Sequence, residues 1–333
     1  MKSKAARIAL VGMLLCLLMT FQEGSLATDF GTLTSTSYSS NRTTTTSVSS
    51  HHKHGLRRTK GPSGDPSKVS RIDTGAPPKA LSPTEFRSFP VVRVQDVGAN
   101  TKRLLFALPT AEHVMGLPVA SCLVAKATIS GEDVVRPYTP VNLDEDRGVL
   151  ELIVKGYPTG RLSKHLVNLR EGDTVEMKGP FPKFPYKANQ FKKVAFIAGG
   201  SGITPCLQVI KEILRIPEDT TQVDLIFANN TASDILLREE LDALTRAHAS
   251  IRVHYVLAAP PASATWNGHT GFVTKELLQE LLPPPSDEHF VGVCGPPGMM
   301  AAVSGDKNPD KSQGDLTGFL KDLQYSPNQV YKF

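Results

Sequence analysis

Residues 89–178 carry short runs of apolar and β-branched residues, separated by glycine, proline and asparagine turns. Short strands that follow one another without long intervening helices are typical of small antiparallel β-structures. The pattern therefore predicts an antiparallel β-barrel or sandwich over residues 83–185. Its predicted strands are VVRVQDV, RLLFAL, SCLVAKATI, VLELIVKGY and DTVEMKG.

The pattern changes at Lys193, where apolar strands begin to alternate with amphipathic helical segments. This alternation predicts a parallel sheet with crossover helices over residues 190–333, after a boundary in the proline-containing segment 180–192. The predicted strands are VAFIA, QVDLIFA, IRVHYVL and FVGVC, and the predicted helices span 205–215, 235–248, 274–282 and 315–323.

The N-terminal segment differs from both predicted domains. Residues 8–21 form an apolar run preceded by basic residues, and the run is shorter than the roughly 20 residues of a membrane-spanning helix. We therefore expect residues 1–30 to be a signal peptide or signal anchor. Residues 31–82 are Ser/Thr-rich and basic, which predicts a disordered linker or transit segment. Either a membrane anchor with a flexible stalk or a bipartite organelle leader fits this composition.

Charge and cysteine content exclude several classes of function. The net charge of +5 comes from residues 1–71, which hold ten Lys/Arg against three Asp/Glu, whereas the remainder holds 27 against 29. A folded body of about −2 gives no electrostatic reason to expect nucleic acid as a partner. The four cysteines are widely spaced, which indicates isolated thiols and no metal site.

The segment VAFIAGGSGITP resembles a phosphate-binding turn between a strand and a helix. Gly199, Gly200 and Gly202 lack a Cβ, so a pyrophosphate can approach the main chain closely. We expect Thr204 to cap the following helix and Pro205 to occupy its first position. The last predicted strand runs into a second compact turn, CGPPGM, and parallel topology places both turns at the same sheet edge.

Five motifs occur in one order: RPYTP from Arg136, Val154-Lys155, GRLSKHL from Gly160, GGSGITP from Gly199 and CGPPGM from Cys294. In this combination the chain resembles the NADH-cytochrome b5 reductase family of the ferredoxin-NADP reductase superfamily, nearest its fungal mitochondrial-type branch. The resemblance covers about residues 90–333 and includes the segment FANNTASDILLREEL and the closing VYKF. It implies a two-domain fold, an antiparallel β-barrel that binds FAD followed by a parallel-sheet α/β domain that binds NAD(P)H.

The resemblance also implies an activity and a set of site residues. A hydride passes from NADH to bound FAD, and electrons then pass singly to cytochrome b5 or a similar haem protein. Thr139 is expected near the reactive flavin nitrogen and Cys294 beside the nicotinamide, where it positions the ring without acting as a nucleophile. The expected FAD-binding residues are Arg136, Pro137, Tyr138, Thr139, Ile153, Val154, Lys155, Tyr157, Gly160, Arg161, Leu162 and Ser163; the expected NADH-binding residues are Gly199, Gly200, Gly202, Ile203, Thr204, Gly295, Pro296 and Pro297.

Several alternatives stay open. The segment Tyr255–Ala259 lacks the acid that many family members carry there, so NADPH is a possible donor. A reductase of the same fold with another acceptor and a non-catalytic nucleotide-binding protein are the rival hypotheses. Acceptor-steering residues are predicted at Lys102, Arg103, Lys164 and Lys187. We expect a monomer that associates with a membrane through its leader at the endoplasmic reticulum or in mitochondria (outer membrane or intermembrane space), with a plastid-type organelle as the alternative.

Overall fold

The computed structural model describes residues 75–261 and 266–333. The predictions for residues 1–30 and for most of 31–82 therefore lie outside the described residues. No helix in the described part of the chain has the length and apolarity needed to cross a membrane. The end of the 31–82 segment corrects one expectation, because Ala80 and Leu81 are buried in the core of the following domain.

The first domain is an antiparallel sheet of six strands, which confirms the predicted β-class. Burial alternates along part of its strands, as in β2, where Leu104 and Phe106 are buried and Leu105 between them is partly exposed. A short helix presents Leu162 and Leu166 to the same core, because residues four apart share a helix face. The elements are β1 (Arg87–Gly98), β2 (Thr101–Ala107), β3 (Ser121–Ile129), β4 (Glu132–Tyr138), β5 (Val149–Lys155), α1 (Arg161–Leu166) and β6 (Thr174–Pro182), with sheet order β4-β3-β6-β1-β2-β5.

The second domain is a parallel sheet of six strands flanked by helices, as the alternating pattern predicts. Its strands are β7 (Lys193–Gly199), β8 (Gln222–Asn229), β9 (Ile251–Leu257), β10 (His269–Thr270), β11 (His289–Cys294) and β12 (Val330–Lys332), in the order β10-β9-β8-β7-β11-β12. Its helices are α2 (Ile203–Arg215), α3 (Arg238–Ala247), α4 (Lys275–Leu281), α5 (Pro297–Val303) and α6 (Gly318–Asp322).

Strand β7 shows why the central strands read as continuous apolar runs. Phe196 and Ala198 pack into one core cluster, whereas Ala195 and Ile197 pack into a second. Successive side chains point to opposite faces of a sheet, and both faces here are covered. Five elements are absent from the pattern-based prediction because they are short or contain proline, namely β4, α1, β10, α5 and β12.

The two domains share one of the core clusters. Ala120, Val141 and Ile153 of the β-domain pack with residues of the α/β domain such as Phe196 and Ile203. Polar contacts reinforce this interface: the Ser121 amide donates to Gln208 Oε1 at 3.2 Å, and Lys211 Nζ donates to the Val141 carbonyl at 2.7 Å. The domains are therefore packed against each other by buried apolar surface as well as by hydrogen bonds.

The buried carboxylate of Asp224 in β8 forms hydrogen bonds with Arg252 and His254 of the neighbouring strand β9. Its carboxylate, on the 2% exposed residue, accepts from Arg252 Nε and Nη2 at 2.7 Å each, and His254 Nε2 lies 3.2 Å from Oδ1. Burial alone would raise the pKa of Asp224, but the hydrogen bonds from His254 and Arg252 outweigh it and the pKa is lowered. The stabilisation is therefore present above the unfolded pKa of about 4 and is lost as pH falls through the lower folded pKa.

We predict that Asp224→Asn lowers the free energy of unfolding at neutral pH by about 1–3 kcal/mol, because charged hydrogen bonds to a buried group are lost. Denaturant unfolding at pH 7 and at pH 4 measures this effect, and the difference between variant and parent should shrink at the lower pH. Asp287→Asn, at an exposed position, serves as the matched control. Equal stability of parent and Asp224→Asn at pH 7 would contradict the assignment.

Candidate functional site

A large cleft of about 1610 Å³ lies between the two domains. The α/β domain contributes the carboxyl ends of its central strands, and the β-domain contributes the ends of β4 and β5 together with the start of α1. Ligands of open parallel sheets bind at such carboxyl ends. The cleft thus brings together most of the residues that the sequence predicts, from segments more than a hundred residues apart.

The glycine turn after β7 winds differently from the prediction. Residues Gly200–Gly202 form a 3-10 turn, and α2 already begins at Ile203 with no side-chain cap. The Thr204 hydroxyl donates to the Ser201 carbonyl at 3.3 Å, so the prediction that Thr204 caps the helix is wrong. Pro205 is the third helical residue, where an amide would still have no partner within the helix, so proline remains tolerated.

The glycines of this turn serve two different purposes. A Cβ on Gly202 would collide with the Cys294 carbonyl oxygen, and one on Gly199 would lie 2.7 Å from Pro296 Cδ. These two glycines therefore allow the first turn to pack against the second, CGPPGM turn. Gly200 has φ +52 and open space around its Cα, so it is the position where a ligand can approach the main chain.

The second turn places Cys294 at the end of β11, on the border of the cleft. Burial raises the pKa of the Cys294 thiol to about 11, so the thiol is neutral at physiological pH. A neutral thiol is a poor nucleophile, and this environment suits the predicted positioning role. Gly295, Pro296 and Pro297, which the sequence analysis assigns to the nicotinamide nucleotide, line the cleft beside it.

The segment RPYTP (136–140) lies at the end of β4 and contributes to the part of the cleft that the β-domain forms. Arg136 is exposed, donates from Nη1 to the Val135 carbonyl at 2.7 Å, and makes no ion pair with a described carboxylate. Tyr138 is partly buried, and burial raises its pKa to about 12, so its hydroxyl stays protonated. Pro137 and Thr139 also line the cleft. An unpaired arginine at the mouth of a cleft is suited to an anionic ligand.

The turn into α1 is fixed by its own hydrogen bonds. Ser163 Oγ accepts from the Tyr157 amide at 3.3 Å, and a Cβ on Gly160 would collide with this hydroxyl. Arg161 is already paired, with Nη1 2.7 Å from Glu132 Oε2 and Nη2 2.9 Å from the Ile129 carbonyl. Leu162 borders the cleft while its side chain is buried in the β-domain core.

Strand alternation separates the predicted residues of β5. Ile153 and Lys155 line the cleft, whereas Val154 is buried in the β-domain core, so a side-chain role for Val154 in the cleft is wrong. The side chain of Ile203 is likewise fully buried, in the core cluster that the domains share, so only the main chain of Ile203 is available for the predicted nucleotide binding.

Two contacts connect the domains across the cleft. Lys155 Nζ lies 2.8 Å from Asp234 Oδ1, and the Tyr157 and Ser201 hydroxyls are 2.8 Å apart. The pKa of Asp234 is lowered: burial opposes the shift, but hydrogen bonds from Lys155 and Thr231 outweigh it. The carboxylate is therefore ionised and neutralised by the lysine, which keeps its charge from opposing an anion in the cleft.

The sequence-based prediction missed several cleft residues. Among the described residues, the buried side-chain atoms without a hydrogen-bond partner are Ser121 Oγ and both polar atoms of the Asn229 amide, and both residues line the cleft. Phe272 lines it with a side chain that is 79% exposed. The sequence does contain a signal for Asn229: a polar residue at the end of the predicted strand that follows the glycine turn is expected at the same edge of the sheet.

The cleft fits a pair of nucleotide cofactors on these observations. It offers an arginine that makes no ion pair with a described carboxylate, a glycine turn with open main chain, an exposed aromatic ring, and buried polar groups that lack partners among the described residues. Buried polar groups in native proteins are normally satisfied, so these atoms are available to hydrogen-bond a polar ligand in the cleft.

Comparisons with known proteins agree with this geometry. Residues 88–186 match the model of the oxidoreductase FAD-binding domain, and residues 196–305 match that of the oxidoreductase NAD-binding domain. The protein is therefore a two-domain flavoprotein oxidoreductase.

Curated relatives define the family more closely. NADH-cytochrome b5 reductase 2 of Chaetomium globosum is 45% identical over 80% of this chain and 77% of its own, and that of Coccidioides immitis is 47% identical over 72% and 74%. An NADH-cytochrome b5 reductase-like protein of Arabidopsis thaliana is 42% identical over 79% and 81%. The chain belongs to the NADH-cytochrome b5 reductase family.

A solved structure supports the same fold. The cytochrome b5 reductase domain of Ulva prolifera nitrate reductase superimposes with a TM-score of 0.68 and 29% identity, over 77% of this chain and all of that domain. The predicted division into an FAD-binding β-domain and an NAD-binding α/β domain is thereby confirmed at the level of the fold.

The unpaired guanidinium in the cleft leads to a direct prediction. Arg136→Ala should weaken FAD binding about tenfold or more, because two charge-assisted hydrogen bonds to a phosphate are lost. The ratio of flavin to protein after purification and the dissociation constant of FAD from the apoprotein measure the effect. Arg93→Ala, at an exposed arginine of β1 outside the cleft, should keep the parent's flavin content. Full flavin occupancy in Arg136→Ala would overturn the assignment.

Proposed function

We propose that this protein takes a hydride from NADH onto bound FAD and passes electrons singly to cytochrome b5 or a similar haem protein. The observation that carries the proposal is the single cleft that brings together the RPYTP strand, the glycine turn and the Cys294 turn. The names of the relatives support the donor and the acceptor. When bound, FAD accepts the hydride and releases the electrons one at a time.

The chain's own residues supply binding and alignment. Arg136 and the start of α1 would hold the flavin nucleotide, with Tyr138 and Thr139 along the same wall of the cleft. The glycine turn and Pro296 would hold the nicotinamide nucleotide, and the neutral Cys294 would position its ring without forming a covalent bond. Holding two reactants in contact is a large part of what such a transfer requires.

The structure narrows the choice of acceptor-steering residues. Lys102 is paired with Asp96 at 2.6 Å, and Arg103 with Glu151 at 2.5 Å and with Glu240 at 3.4 Å. Lys164 and Lys187 make no ion pair with a described acid and remain the candidates of the original four. Unpaired surface cations of this kind support an acidic acceptor protein, because complementary charge speeds association.

NADPH is a second candidate donor for a specific reason. Ala258 lines the cleft at the end of β9, and no acid occupies the segment Tyr255–Ala259. A carboxylate there would repel the extra phosphate of NADPH, and its absence removes that barrier. The donor is therefore decided by comparing the two coenzymes directly.

Steady-state assays of the FAD-loaded enzyme test the proposal. We expect turnover of NADH with cytochrome b5.

Replacing the Cys294 thiol tests its role separately. Cys294→Ala should keep its flavin but slow flavin reduction by NADH about tenfold or more, since a 1.4 kcal/mol increase in the activation free energy is tenfold in rate. Stopped-flow measurement of flavin reduction separates this step from acceptor reduction. Cys122→Ala, at a second cysteine bordering the cleft, is the control. Turnover that is absent with cytochrome b5 but present with ferricyanide would assign another acceptor, and an unchanged reductive rate in Cys294→Ala would remove its role.

The apolar run 8–21 supports a leader that directs the protein to the membrane of the endoplasmic reticulum or to mitochondria. A fluorescent fusion of residues 1–75 should localise there, with a fusion lacking residues 8–21 as the control. Diffuse fluorescence of the first fusion would exclude anchoring by the leader, and plastid fluorescence would support the bipartite alternative.

A further inference from the structure

Asn229 is a buried amide that the folded protein does not use. The residue is 9% exposed, and both Oδ1 and Nδ2 lack a hydrogen-bond partner among the described residues. Asn142, which is 6% exposed, shows the ordinary situation: its Nδ2 donates to the Val149 carbonyl at 3.2 Å and its Oδ1 accepts from the Glu151 amide at 2.9 Å. Leaving a buried donor and acceptor unpaired costs stability, so Asn229 is not explained by folding.

The position of Asn229 indicates what it faces. It is the last residue of β8, whose neighbour in sequence, Ala228, pairs with Gly199 of the glycine turn. Its main chain is already engaged, since its carbonyl accepts from the Ala258 amide at 3.1 Å. The residue lines the cleft. The unsatisfied side chain thus lies at the carboxyl edge of the sheet, one strand away from the turn that would hold a pyrophosphate.

The chemistry of the amide narrows the ligand group. A carboxamide needs both an acceptor for its N–H and a donor for its oxygen. Phosphate oxygens can only accept, whereas a sugar hydroxyl both donates and accepts. In a dinucleotide the groups that adjoin the pyrophosphate are the two riboses. The end of the strand beside a glycine turn is also where dinucleotide-binding folds place the side chain that binds a ribose hydroxyl.

We propose that Asn229 is a positioning residue that hydrogen-bonds a ribose hydroxyl of the nicotinamide coenzyme beside its pyrophosphate. This inference rests on the proposed function, because it requires that the cleft bind a nicotinamide dinucleotide. Dinucleotide-binding folds commonly have an acid at this strand end. The neutral amide has no charge to oppose a 2′-phosphate, so the position itself gives no electrostatic preference for NADH over NADPH.

The proposal predicts opposite effects on stability and on binding. Leucine has the same heavy-atom branching as asparagine but has no polar atoms that need hydrogen-bond partners. In FAD-loaded enzyme without coenzyme, Asn229→Leu should therefore keep or raise the melting temperature, because an unsatisfied buried amide is removed. The same variant should bind NAD⁺ about tenfold or more weakly by calorimetry, as expected for the loss of one to two hydrogen bonds.

Asn142→Leu is the matched control, since it removes a buried amide whose hydrogen bonds are made within the protein. It should lower the melting temperature and leave the dissociation constant of NAD⁺ unchanged. A purely structural role for Asn229 would give its leucine variant the same behaviour as the Asn142 variant. That result, or unchanged affinity for NAD⁺ in Asn229→Leu, would overturn the proposal.

Two fragments of the coenzyme decide which ribose is bound. ADP contains the adenosine ribose, and nicotinamide mononucleotide contains the other one. Weaker binding of ADP alone assigns Asn229 to the adenosine ribose, and weaker binding of the mononucleotide alone assigns it to the nicotinamide ribose. Parent enzyme that binds neither NAD⁺ nor NADH would refute the proposed function and this assignment together, whereas normal binding by the parent and by Asn229→Leu would refute only the assignment.

Discussion

The main-chain contact between the glycine turn and the Cys294 turn is the constraint on which the cleft depends. Gly202 lies so close to the Cys294 carbonyl that any side chain would collide with it, and a Cβ on Gly199 would also lie too close to Pro296. The contact joins the ends of two neighbouring strands, β7 and β11, which pair from Lys193 with His289 to Ala198 with Cys294. It places the Cys294 thiol and the open main chain of Gly200 in the same small region.

The β-domain is held against this region by contacts of several kinds. Ala120, Val141 and Ile153 contribute apolar surface, while Lys155 and Tyr157 reach Asp234 and Ser201. The ion pair between Lys155 and Asp234 is about one-fifth exposed on each side, so it contributes more to fixing the geometry than to overall stability. Because Lys155 and Tyr157 also border the cleft, the residues that join the domains are the same ones that shape the site.

The sequence predicts the architecture well because each domain repeats one pattern: short apolar runs between turns in the first, and alternating strands and helices in the second. Short apolar and β-branched runs between turns identify β2 and β5, and the change to alternating strands and helices at Lys193 identifies the parallel sheet. The sequence does not predict which residue of the apolar run 152–154 faces the cleft, since Leu152, Ile153 and Val154 are all buried and only Ile153 borders it. The start of α2 was missed because the 3-10 turn, which has no distinct sequence signal, begins the helix ahead of Thr204. The unsatisfied amide of Asn229 depends on what surrounds it in three dimensions, which no local pattern encodes.

The core cluster shared by the two domains has a consequence for protein engineering. Separate expression of either half would expose part of a continuous apolar surface that includes Val141 and Ile153 on one side and Phe196 and Ile203 on the other. A chimaera that exchanges one domain for that of a relative would have to carry over these interface residues with it. In domain exchange the two domains are therefore best moved together, even though each nucleotide site is built mainly from one of them.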